Sequence, residues 1–128
     1  MNFRRIAFLT TLAILTATAA ARAETMRFHG TVGQRSVTLT LDVKDELVAA
    51  AKYKYDNEAS EVPVPESRLF GSTMVLADDD GNNFHLHLQN ADGGSVTAFA
   101  RTLKLTGTMQ REELDLPVKL VLVVASQR

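Results

Sequence analysis

No cysteine occurs in this chain of 128 residues. That excludes the disulfide framework on which many small exported domains rely, and it excludes the acylated cysteine of a bacterial lipoprotein. The chain must fold by packing alone. Long apolar runs are also missing: the most apolar stretch, from Ile6 to Leu15, falls short of the roughly 20 residues that span a bilayer, so no stable membrane anchor is expected. Clustered bases are absent too. Beyond residue 23 Lys and Arg are scattered singly, whereas a phosphate-backbone surface needs them grouped to release counterions, so nucleic acid is not an expected partner. No G-x-S-x-G elbow is present, and no glycine-rich loop runs from a strand into a helix, so nothing points to nucleophilic catalysis or nucleotide binding.

What is present begins with an export signal. Arg4 and Arg5 are followed by the apolar run, and the segment ends in small residues at Ala21-Arg22-Ala23. A cationic head, an apolar core and a small-residue exit form the order a secretory peptidase requires. Cleavage is expected after Ala23, leaving one domain over residues 24–128 in the periplasm or the medium. The signal carries three of the 14 bases and none of the 15 acids. The remainder is therefore acidic, at about −4 with histidines neutral. About 105 residues suffice for one hydrophobic core and not for two.

Beyond residue 24 the hydrophobic pattern has period two. In SVTLTLDV, Val37, Leu39, Leu41 and Val43 fall on one face while Ser36, Thr38, Thr40 and Asp42 fall on the other, the pattern of a half-buried strand. MRFHGTV, LVAAAKYKYD, STMVLA, NFHLHLQN, SVTAFA, LKLTGTMQ and LPVKLVLVVA read the same way, separated by turn formers such as Lys44-Asp45-Glu46, Asp80-Gly81-Asn82 and Arg111-Glu112-Glu113. The spacing predicts an all-β domain: an antiparallel meander of seven to eight strands forming an up-and-down barrel or a sandwich. Residues 58–67, with Pro63 and Pro65, break the rhythm and read as an edge excursion or loop. The last strand is apolar on both sides from Leu120 to Ala125 and is expected to lie centrally, or to be packed on each face.

The succession FHGTVG, YKYD, LFGSTMVL, DDDGN, LTGTM and LDLPVKL resembles a family of small exported bacterial all-β domains with G-x-V-G, Y-x-Y, L-x-G and L-x-G-T-W signatures. The resemblance spans most of residues 27–122. The family has no assigned chemistry, so the resemblance implies a fold and an exported location. Met109 stands where the family usually has tryptophan, and Lys54 interrupts an aromatic run, so a ligand role for those aromatics does not carry over.

The most chemically loaded run is DDDGNNFHLHL, residues 78–88. Aligned as an EF-hand loop with Gly81 sixth, it places Asp78 and Asp80 correctly but puts Leu76 first and His87 twelfth, so the cage is incomplete. A hairpin turn needs only Asp80-Gly81. His85 and His87 project from one face of a strand and would need His29 as a third ligand, which makes a metal site the weaker alternative. Tyr53 and Tyr55 share a face and read as core. No cofactor is expected. The favoured reading is a non-enzymatic binding protein, inhibitor-like or immunity-like, acting on a periplasmic or extracellular protein, with Asp78, Asp79 and Asp80 as the partner-binding candidates on an exposed tip. A small-molecule carrier with a barrel pocket is the alternative.

Overall fold

The computed structural model describes residues 23–127, so all of the expected export signal except Ala23 lies outside the described residues. Nine strands follow in order: β1 (Ala23–Val32), β2 (Arg35–Lys44), β3 (Leu47–Tyr55), β4 (Val62–Pro63), β5 (Glu66–Phe70), β6 (Thr73–Ala77), β7 (Asn83–Gln89), β8 (Lys104–Arg111) and β9 (Leu114–Gln127). No helix among the described residues is long and apolar enough to cross a membrane. The alternation becomes burial directly: β2 buries Val37, Leu39, Leu41 and Val43, and β7 buries Phe84, Leu86 and Leu88 while His85 and His87 face outward.

All pairings are antiparallel, and the spatial order is β4-β3-β2-β1-β9-β8-β7-β6-β5. Every pair is consecutive in the chain except β1 with β9, so the first and last described strands zip together in the middle of the sheet. β4 and β5, at opposite margins, run in the same direction and are separated only by Val64 and Pro65. Residues 62–70 thus form one extended run whose first part pairs with β3 and whose second part pairs with β6. The step from Pro63 to Glu66 spans at most about 11 Å of fully extended chain. The two margins are therefore held close together, and the sheet curls into a half-barrel. Within the barrel-or-sandwich expectation, the single curled sheet decides for the barrel-like form. The covalent link also explains why the proline-containing stretch breaks rhythm: Pro63 and Pro65 sit where the ladder changes partner, and neither can donate a backbone hydrogen bond.

Two glycines make the curl compatible with close strand packing. A Cβ at Gly30 would lie 1.8 Å from the Lys119 carbonyl oxygen, and one at Gly107 would lie 1.8 Å from that of His85. Only glycine lets the neighbouring backbone approach so nearly. The space enclosed by the curl is filled by one apolar cluster, including Met26, Phe28, Leu41, Met74, Leu76, Leu86, Leu88 and Leu105, each almost wholly buried.

One expectation changes and two gain detail. SVTAFA is not a strand: Ser95 makes an isolated bridge with Gln89, and Phe99–Arg101 form a 3-10 turn whose Phe99 side chain plugs one end of the core. Its alternation reflects one anchored aromatic in a connecting segment. Residues 66–70, which overlap the edge excursion or loop expected over 58–67, form a full strand at the sheet edge, paired with β6. β9 is central, between β1 and β8, as its pattern predicts, and Val121 and Val123 on its outer side are 51% and 60% exposed. Its second apolar face is not covered by any described part of the chain.

Candidate functional site

The turn between β6 and β7, residues 78–82, divides the three aspartates into two kinds. Asp78 is 9% exposed and Asn82 is 6% exposed, whereas Asp79, Asp80 and Gly81 stand in solvent. Gly81 takes a φ of 89°, as a tight turn requires, and Asp78 N–H donates to the Asn82 carbonyl at 3.1 Å. One oxygen of Asp78 accepts the backbone N–H groups of Asp80 and Asn82, both at 2.9 Å. Its other oxygen accepts the Tyr53 hydroxyl at 2.6 Å and the Asn82 side-chain amide at 2.8 Å. The amide also donates to the Tyr53 hydroxyl oxygen at 3.3 Å. Tyr53 lies on β3, at the other side of the seam between the two sheet margins. The network therefore ties the margins where no strand pairing does.

The electrostatics follow from these contacts. Burial on its own would raise the Asp78 carboxyl, but the hydrogen bonds from Tyr53, Asn82 and the two backbone amides outweigh it and hold the pKa below the ordinary 3.8. Tyr53 moves the other way: burial, reinforced by donation to the charged Asp78, pushes its hydroxyl well above the ordinary value. Edge-on aromatic contacts to Phe84 at 5.1 Å and Tyr55 at 5.7 Å fix the ring. Tyr55 is raised as well, chiefly by burial, with Arg35 stacked over its ring at 3.6 Å. Both tyrosines belong to the core.

Of the three partner-binding candidates, the structure leaves Asp79 and Asp80 free at the surface and commits Asp78 to internal bonds. Because the sheet is an antiparallel meander, the turns β1–β2, β3–β4, β6–β7 and β8–β9 all emerge at the same end of the curl. That end collects Asp56, Glu58, Asp79, Asp80, Glu112 and Glu113, all exposed, against Arg35 and Arg111. Arg35 is drawn to Glu58 at 3.5 Å and His29 to Asp56 at 2.9 Å. Glu112 and Glu113 were legible in the sequence only as turn formers; their convergence with Asp79 and Asp80 depends on strand order.

The histidines are not brought together. His29 on β1 is level with Val121, Lys104 and Gln89 on successive strands, which places it three strand spacings from β7, roughly 14 Å in a sheet of this pitch. Its Nε2 is engaged by Asp56, and His87 Nδ1 lies 3.2 Å from the Thr73 hydroxyl. Among the described residues no group of three or more His, Asp or Glu side chains is arranged to hold a metal ion. The His29, His85 and His87 alternative therefore lacks its geometry, for want of a strand order that would make β1 and β7 neighbours.

No protein-family model, curated protein or solved structure matches this chain significantly. What stands is an all-β antiparallel domain with a curled sheet.

Proposed function

We propose that this protein is an exported, non-enzymatic binding domain that engages a basic surface of another protein through its acidic, turn-bearing end. The observation that carries the reading is the gathering of Asp79, Asp80, Glu112 and Glu113 on neighbouring hairpin tips at one end of the curl. A compact field of one sign steers a partner of the opposite sign and sets its orientation. The tips are also pre-ordered: the Asp78 network fixes the β6–β7 turn before any partner arrives, so little ordering entropy opposes docking. The export signal in residues 1–23 and the resemblance to small exported bacterial β-domains support a periplasmic or extracellular setting. An inhibitor-like or immunity-like mode, in which the tips occlude a basic cleft, fits a rigid domain of this size.

Native mass spectrometry of the protein recovered from its own host tests this, run in parallel with the charge-reversed variant Asp79→Lys, Asp80→Lys, Glu112→Lys. A kilodalton-scale adduct on the parent that is lost from the variant is the expected result. An adduct of equal abundance on both would remove the acidic end from the interface. A bare mass in both would sink the occlusion reading.

A further inference from the structure

The outer face of the opposite half of the sheet has a different character. On β2 the outward column is Thr38 and Thr40, and the register sets Arg27 and Lys52 on either side of Thr40, and His29 and Lys54 on either side of Thr38. Glu61, just ahead of β4, meets Lys52 Nζ at 3.0 Å and lines one side of an open groove of about 350 Å³. Lys52 is thereby paired, and His29 is bonded to Asp56. Asp42, which also lines the groove, accepts the Thr25 hydroxyl at 2.8 Å. Arg27 and Lys54 have no acidic partner among the described residues.

Arg27 and Lys54 lie two strand spacings and one two-residue step apart, roughly 12 Å between backbones. Both line the groove together with Thr38 and Thr40, so one ligand seated over β2 lies within reach of both cationic groups and both hydroxyls. Such a set is rich in donors. A planar carboxylate would use only part of it, whereas a tetrahedral oxyanion offers an oxygen to each donor. The groove is larger than one phosphate ion and open along its length, leaving room for the group that carries it.

We propose that this groove binds the phosphate group of a small soluble phosphomonoester, with Arg27 and Lys54 neutralising it and Thr38 and Thr40 donating from the floor. The test is amide NMR of the protein titrated with inorganic phosphate and then with glycerol 3-phosphate, at constant ionic strength against chloride. Saturable shifts at Arg27, Thr38, Thr40 and Lys54 are expected, with the ester binding more tightly than the free ion. Arg27→Gln and Lys54→Gln should each weaken binding about tenfold, as for loss of one charge-assisted hydrogen bond, and Thr40→Val less. All three positions are solvent-facing, so unchanged unfolding temperatures confirm intact variants. Shifts that track ionic strength alone, that centre elsewhere, or that persist in the Arg27→Gln, Lys54→Gln double variant would overturn the site. An ester no tighter than the free ion would overturn the assignment of its ligand.

Discussion

The two ends of the curled sheet are closed in contrasting ways. At one end Phe99 enters the core from the connection between β7 and β8, and the β2–β3 turn secures it: Glu46 accepts the Phe99 backbone N–H at 2.6 Å. Asp45 and Glu46 both adopt positive φ, 53° and 62°, in that turn. At the other end the closure is polar, built from Tyr53, Asp78 and Asn82 across the seam. Each end thus uses an acid from a tight turn as a hydrogen-bond acceptor, but at one end the acid holds an apolar plug and at the other it is itself the fastening. Neighbouring acids of the same turns, Asp45 and Asp79, remain in solvent. An acidic turn residue is therefore not one kind of feature; its role depends on what the fold brings within 3 Å of it.

The largest expected effect of breaking this comparison is at the apolar end. Phe99→Ala should cost about 3–5 kcal/mol, because the cavity left at the end of the core cannot be refilled by the short 3-10 segment; the urea midpoint measures it, and a loss below about 1 kcal/mol would show that the plug is dispensable. Asp78→Ala comes next, at about 2–3 kcal/mol, since Tyr53, the Asn82 amide and two backbone N–H groups lose their shared acceptor. Hydrogen exchange at Asp80 and Asn82 should accelerate in that variant.

A pH profile sharpens the polar end. The Asp78 pKa is depressed in the folded state, so its contribution is fully present above the ordinary 3.8 and is lost as pH falls through the folded value. Tyr53 is raised, so its contribution is present below the ordinary 10.0 and declines as pH rises above it. Parent and Asp78→Asn should therefore converge in stability as acid is added, and a constant difference down to pH 2 would contradict the assignment. Glu46→Gln keeps an acceptor and should cost only about 1 kcal/mol, read again from the urea midpoint. Smallest of all, Asp79→Asn with Asp80→Asn should change stability by no more than about 0.5 kcal/mol, as exposed sites do. A larger loss would mean that the tip acids are structural rather than free to meet a partner.

How much of this could be read from the chain varied with the residue. Leu39, Leu41, Phe84 and Leu86 announce themselves because strand periodicity is a local property, set by alternating side-chain direction. The 78–82 turn is equally legible through Asp80 and Gly81. The burial of Asp78 is not, because its decisive partner, Tyr53, is 25 residues away. SVTAFA misleads for a related reason: over six residues an alternating pattern does not distinguish a strand from a loop that anchors one aromatic. Residues 66–70 are obscured by the preceding Pro63 and Pro65, whose effect is confined to the junction of β4 and β5. The outer groove has no sequence signature either, since Arg27, Thr38, Thr40 and Lys54 come from three strands.

By itself the sequence determined that the domain is all-β, that its strands alternate, where most turns fall, and which side chains make the core, because each of these follows from interactions between near neighbours along the chain. Tertiary structure alone decided that the first and last described strands pair, that residues 62–70 bridge the sheet margins, that Asp78 is a fastening while Asp79 and Asp80 are surface, and that His29 stays apart from His85 and His87. Those outcomes depend on strand order and register, which set distances between residues that the chain leaves far apart, and no local pattern encodes them.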